Sequence, residues 1–262
     1  TCDWSSDVCS SDLSDLAHGV DLTNISLEVR AGEVLGIAGI AGNGQIELMD
    51  ALSGETGSPL AGSIRILGTN AIDLNPTARR SLGAVFVPEE RIGHAAVADM
   101  TLVDNSYLTG DTRMNFSRRG LIDWPAVTRF AQKVVQDFDV RTTGVDALAS
   151  SLSGGNLQKF IVGREILQEP NLLVVSQPTW GVDAGAAAAI HEEIQRLVSA
   201  GAAVLMISQD LDEVFLLSHR IAVISQGTLS AAMAIDEITP EDIGLLMGIR
   251  HEVQPEADHV TA

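Results

Sequence analysis

Val34-Leu35-Gly36-Ile37-Ala38-Gly39-Ile40-Ala41-Gly42-Asn43-Gly44-Gln45-Ile46 is the stretch that carries the fold. Its first five residues predict a short buried strand. They run straight into spaced glycines, and beyond these Ile46, Leu48, Met49 and Leu52 recur at helical spacing, which predicts a helix over 45–52. Strand, glycine loop and helix is the setting of a phosphate-binding loop, and Gly39 to Ile46 has the G-x-x-x-x-G-K-S/T spacing. Glycines at these places let successive backbone N–H groups turn inward on phosphate oxygens at a helix N-terminus. Gly39, Gly42, Asn43 and Gly44 therefore supply a cradle. However, Gln45 stands where a lysine would reach the phosphates, and Ile46 where a hydroxyl would ligate Mg²⁺. A lysine–phosphate contact at ~4 Å and an effective dielectric of ~20 is worth about 4 kcal/mol before desolvation, so its loss weakens phosphate binding.

Upstream, Ile25, Leu27 and Val29 alternate with Ser26, Glu28 and Arg30, a half-buried strand ended by Ala31-Gly32. Downstream, strands are predicted over 63–67 and 84–87, the second stopped by Pro88. Between about 103 and 168 the pattern is helical, with Phe130, Val134, Val135 and Phe138 on one apolar face. Strand and helix then alternate: strands at 172–175, 203–207 and 221–224, helices at 184–198 and 211–217. That order predicts an α/β fold with a parallel sheet covered by helices and an inserted helical lobe. Trp124 and Phe130 read as lobe core.

Leu152-Ser153-Gly154-Gly155-Asn156, followed by Leu157-Gln158-Lys159-Phe160, is the more specific string. Ser153 is a candidate helix cap, and the glycines leave N–H groups open at a helix start, an anion site. With the glycine loop, this string is similar to the signature motif of ABC ATPases, in the Asn-containing form typical of sugar-type importers. The resemblance spans about 20–248. It implies a P-loop NTPase (RecA-like) core with a parallel sheet, an ABC-type antiparallel β subdomain and an inserted α-helical subdomain. In that family the signature of one domain closes over the γ-phosphate of ATP held by the other domain's P-loop.

The resemblance extends to Leu172-Leu173-Val174-Val175 and Ser176-Gln177-Pro178-Thr179-Trp180-Gly181-Val182-Asp183, which look like a Walker B strand and D-loop. The chemistry there needs an Asp to hold Mg²⁺ and a Glu to polarise water. Ser176 and Gln177 carry neither charge. Gln209 stands where the family's switch histidine would be, and Glu89 where its Q-loop glutamine would be. The resemblance therefore implies the degenerate second half of a sugar- or nucleoside-type importer ATPase, with no intact catalytic residue in cis and no protein metal site. Ser153, Gly154, Gly155, Asn156 and Asp183 would serve ATP held by a partner, and Gly39, Gly42, Asn43, Gly44, Gln45 and Ile46 the weak site of this half, with Mg²⁺ mainly at the partner site. Implied partners are a first ABC domain, expected as a missing N-terminal half of the same polypeptide, transmembrane permease subunits contacted through the lobe and 89–105, and indirectly a substrate-binding protein. The place implied is the cytoplasmic face of a bacterial inner membrane. The alternatives are a non-hydrolysing nucleotide-sensing module and a soluble ABC ATPase. A P-loop kinase or GTPase needs no such signature string.

The 262 residues are 45% hydrophobic with 24 glycines, enough for one main core. The formal net charge is −19, and no Lys/Arg stripe is present to neutralise a phosphate backbone, so nucleic acid is not an expected partner. No run approaches the roughly 18 apolar residues of a membrane span. His94, His191 and His219 lack metal-ligand spacing. Residues 3–13 resemble one reading frame of a common short-read sequencing adapter. On that reading 1–13 is artefactual and disordered, the natural N-terminus is missing, and the charge without Asp3, Asp7 and Asp12 is −19 + 3 = −16. Cys2 and Cys9, the two cysteines, then say nothing of redox compartment. The aromatic that the family stacks on adenine would have been lost at the same junction. The nucleotide-binding domain is expected over 14–250 and a polar tail over 251–262.

Overall fold

The computed structural model describes residues 20–55 and 62–248, together with the strand Ser5–Leu13. In chain order the elements are β1 (Ser5–Leu13), β2 (Leu22–Arg30), β3 (Val34–Ala38), α1 (Gln45–Ser53), β4 (Arg65–Ile66), β5 (Thr69–Asn70), α2 (Pro76–Ser81) and β6 (Ala84–Val87). The lobe follows with α3 (Leu102–Met114), β7 (Ser117–Arg118), β8 (Leu121–Ile122), α4 (Trp124–Asp137) and α5 (Gly154–Ile166). The chain then adds β9 (Leu172–Ser176), α6 (Ala184–Ser199), β10 (Ala203–Ser208), α7 (Leu211–Leu217), β11 (Arg220–Ser225), β12 (Thr228–Leu229), β13 (Met233–Ala234) and α8 (Pro240–Gly248).

The central strands run β11-β3-β10-β9-β6, all parallel, with β12 and β13 pairing antiparallel to β11. A parallel sheet must be covered on both faces, which is why β3, β9 and β10 are buried along their whole length. Alternation divides them between two cores. Val34, Leu173, Val175, Val204 and Met206 pack with Phe160, Ile161, Ile190 and Ile194 of α5 and α6. Leu35, Ile37, Leu172, Val174 and Leu205 pack with Ile25, Val29, Leu48 and Leu52 of β2 and α1. Gly36 permits α7 to close on β3, because a Cβ there would lie 2.2 Å from Ser218 Oγ.

Within 1–13 lies β1, antiparallel to β2 with two register shifts. Backbone pairing along an open strand edge needs no apolar period in the incoming chain. The polar tail 251–262 lies outside the described residues. Trp124 departs from expectation: it is 43% exposed at the start of α4, its ring 5.6 Å from that of Tyr107, whereas Phe130 is buried.

The lobe is pinned to the sheet by buried charge. Glu165, fully enclosed, accepts from Arg80 Nη1 at 2.7 Å, Arg164 Nε at 2.9 Å and Gln168 Nε2 at 3.0 Å. Arg164 in turn donates to the carbonyls of Asn105 and Ala95, which fixes α3 and the segment before it. Burial pushes the Glu165 carboxyl upward, but the two guanidiniums outweigh it and hold the group below its ordinary value. Among the described residues no helix is long and apolar enough to cross a membrane.

Candidate functional site

The glycine loop sits between β3 and α1, and its side chains close it on itself. Gln45 is 5% exposed, folded back under the loop. Its Oε1 accepts the Asn43 N–H at 3.0 Å, and its Nε2 donates to the Ile40 carbonyl at 2.8 Å. Only a glycine fits at 39, since a Cβ would lie 2.7 Å from Gln45 Nε2 and equally close to the Ile224 carbonyl. Asn43 locks the outer side: its Nδ2 donates to Ile40 O, its Oδ1 accepts from Gln226 N, and its carbonyl accepts from Gly227 N. Gly44 enters α1 at φ 110° without a side-chain cap. Ile46, which takes the hydroxyl's place, is 57% exposed.

Beside the loop lies a cavity of about 400 Å³, lined by Ile46, Met49, Ser176 and Trp180 together with Asp50, Pro88, Glu89, Glu90, Arg91 and His94. The fold thus brings Ile46, in the first turn of α1, and Ser176, at the end of β9, to one space. The lining is apolar and acidic, and the Asp50 carboxyl is raised by its burial and by Glu55. His94 pairs with Glu90 at 3.6 Å. Gln177 follows Ser176 at φ 52°, and its Oε1 accepts the Gln209 backbone N–H at 3.4 Å, so these two glutamines meet each other. Neither holds a charge that could polarise water.

The signature residues do not line that cavity. Ser153 sits at the N-cap of α5 with extended backbone, but its hydroxyl does not cap the helix. It accepts from Asn156 Nδ2 at 2.9 Å instead, while Asn156 Oδ1 takes the Arg141 N–H. The expected capping bond is absent, the hydroxyl being engaged by Asn156 Nδ2, and no side-chain cap bond is made at the start of α5. Gly155 touches the loop after β9: a Cβ would lie 2.9 Å from the Gly181 carbonyl. Asp183 caps α6 by accepting the Ala186 N–H at 3.0 Å, and that bond, with others from the backbone, holds its carboxyl below the ordinary value.

Sequence reasoning did not single out Arg91, Gln158 or Glu213. Arg91 donates to Gln158 Oε1 and to the Trp180 carbonyl, and its burial lowers the guanidinium from its ordinary value. Glu213 gathers Thr179 Oγ1, His191 Nε2 and Ser208 Oγ within 2.9 Å, tying the loop after β9 to α6, β10 and α7. These contacts join residues far apart in the chain, and no local pattern marks them. His219 is equally structural, its Nδ1 accepting the Val34 N–H.

A family model described as ABC transporter matches residues 22–180. The chain belongs to the ABC transporter family. The nucleoside import ATP-binding protein NupA of Lactococcus lactis subsp. cremoris (strain MG1363) is 40% identical over 223 residues, covering 85% of this chain and 44% of that protein. The guanosine import ATP-binding protein NupO of Bacillus subtilis (strain 168) is 38% identical over 224 residues, 86% of this chain and 44% of that protein. A ribose import ATP-binding protein, RbsA 1 of Streptomyces avermitilis, is 36% identical over 233 residues, 89% of this chain and 44% of that protein. This ABC module therefore spans less than half the length of these relatives. Its fold is that of an ATP-binding subunit of an ABC transporter, superposing with TM-score 0.74 at 18% identity over 93% of this chain and 98% of that one. A dimeric ATP-binding cassette with ADP and phosphate bound gives TM-score 0.72 at 19% identity, over 88% and 97% of the two chains.

ATP and Mg²⁺ are the family's ligands, and this module's own loop does not fit them as it stands. The Asn43 N–H is already bonded to Gln45, Ile46 and Ser176 offer no carboxylate, and no cluster of three or more potential metal ligands occurs among the described residues.

Proposed function

We propose that this ABC module works as a helper half: it presents Ser153, Gly154, Gly155, Asn156 and Asp183 to ATP held in the P-loop of a partner ABC module, while its own glycine loop holds no hydrolysable nucleotide. The observation that carries this reading is the contrast between the two helix starts. Both α1 and α5 start without a side-chain cap; what differs is that in the loop leading into α1 the Asn43 N–H is taken by the Gln45 amide. Polarisation of water falls to the partner, because Ser176, Gln177 and Gln209 cannot supply it. This half contributes orientation and N–H donors around the transferred phosphoryl group, where positioning and electrostatics carry most of the catalysis. Mg²⁺, when bound at the partner's site, supplies the charge on the phosphates.

The partner is a second module bearing the P-loop lysine and the acidic pair. The relatives are more than twice as long as the matched stretch, which leaves length for it in the same polypeptide. The relatives' names favour uptake of a nucleoside or a sugar, with permease subunits receiving the work at the cytoplasmic face of the membrane and a binding protein delivering substrate. A nucleotide-sensing role is disfavoured by the self-occupied loop, and a soluble role by the importer relatives. In an assembly with a lysine-bearing partner module, Ser153→Arg should abolish ATP hydrolysis. Near-normal turnover would sink the shared-site reading.

A further inference from the structure

Ser153–Asn156 and Asp183 lie in separate segments, and something must hold them in register. Arg91, in the loop after β6, reaches both segments. Its Nε donates to Gln158 Oε1 at 2.9 Å on α5, and its Nη2 to the Trp180 carbonyl at 2.5 Å. Gln158, 3% exposed, completes the link by donating from Nε2 to the carbonyls of Gln177 and Pro178 at 3.1 and 3.0 Å. One planar guanidinium and one amide thus join two loops and the helix α5 through four hydrogen bonds. The glycines leave the room: a Cβ on Gly154 would lie 2.8 Å from Arg91 Nη1, and one on Gly181 would lie 3.2 Å from Nη2.

We propose that Arg91 is a positioning residue that ties the 177–183 loop to the signature helix, so that Asp183 and Ser153–Asn156 meet a nucleotide as one rigid surface. The second clause rests on the shared-site reading; the tie itself does not. Because the tie needs two donors in a fixed fork, a lysine cannot replace it, although the charge is kept.

Trp180 reports on the loop directly. In the 262-residue chain, Trp4→Phe and Trp124→Phe leave it as the single tryptophan of the three, and its time-resolved anisotropy reads the loop's motion. Arg91→Met and Arg91→Lys should each raise the amplitude of the fast component about twofold, a loop released on the nanosecond scale. The thermal midpoint should fall by no more than about 4 °C, as befits one lost surface-loop link in a chain of this size. Unchanged anisotropy in Arg91→Met overturns the tie, and so does a general loss of folding in both variants, which would make the residue merely structural. In the assembly with a lysine-bearing partner, both variants should lower kcat about tenfold with KM for ATP within about twofold, since the released loop no longer holds Asp183 in place for the contact it makes at closure. If Ser153→Arg abolishes turnover and Arg91→Met leaves kcat intact, the positioning role is overturned. If Ser153→Arg itself leaves turnover normal, the shared-site reading fails and takes the second clause with it, while the anisotropy still judges the tie.

Discussion

Replacing Gln45 by alanine should tighten the binding of ATP, although the substitution adds no charge and removes a polar group. The Ile40 carbonyl keeps a partner, Asn43 Nδ2 at 2.7 Å, so the change frees essentially one group, the Asn43 N–H. Losing one neutral hydrogen bond costs the fold about 1 kcal/mol. If the loop acts as a phosphate cradle, the freed N–H becomes available to a phosphate oxygen, and a hydrogen bond to a charged group is worth about 1.5–3 kcal/mol, a factor of ten to a hundred in affinity. Isothermal titration of the chain with ATP, with and without Mg²⁺, should therefore give a Kd at least about tenfold lower for Gln45→Ala than for the unaltered chain. Gln45→Met keeps the bulk without the bonds and should behave like the alanine variant, whereas Gln45→Lys should bind more tightly than either. If Gln45→Ala binds no better than the unaltered chain, the amide is not what closes the loop. The missing lysine alone would then account for the weakness.

Glu165→Gln would leave Arg80 and Arg164 around a neutral amide, and breaking such a buried cluster from one side should cost about 3–5 kcal/mol in urea unfolding. The same carboxylate sets an acid limit. Its value is held below the ordinary 4.5 in the fold, so its contribution is present above that pH and is lost as the pH falls through the folded value; Glu165→Gln should flatten that part of the stability profile. Gly155→Ala would push a methyl to 2.9 Å from the Gly181 carbonyl, displacing the 177–183 loop, and should cost about 1–3 kcal/mol in thermal unfolding while lowering turnover of the assembly more than Lys159→Ala does.

Much of the architecture is legible because burial is periodic: β3, β6, β9 and β10 are short apolar runs, and α1, α6 and α7 begin and end within a residue or two of their spacing patterns. The elements that escaped are those whose signal lies in one or two residues. Asn75-Pro76 opens α2 with an Asn75 cap, and Thr239, accepting from Asp242 N, opens α8, both readable in principle. The hairpin turns Leu67-Gly68, Arg119-Gly120 and Gln226-Gly227 are harder, since each places a non-glycine residue at positive φ where Asn or Asp would be the usual signal. The site divides in the same way. Glycine spacing points to a cradle and a signature, and the lack of a lysine, a hydroxyl and two carboxylates at Gln45, Ile46, Ser176 and Gln177 is plain in the sequence. What Gln45 does with its amide, and how Arg91 reaches Gln158 and Trp180, depends on contacts between loops brought together only by the sheet.

The rim formed by Ile46, Met49 and Trp180 changes how this face should respond to ionic strength. A working phosphate site is cationic, and its contacts weaken as salt rises. Here the exposed Ile46 and Trp180 are apolar and sit on a chain of formal charge −19, so at low salt two such acidic bodies repel over a distance of tens of ångströms. Added salt screens that repulsion and, with sulfate, strengthens apolar burial. Association through this face should accordingly grow with salt, the opposite of what an intact nucleotide site would show.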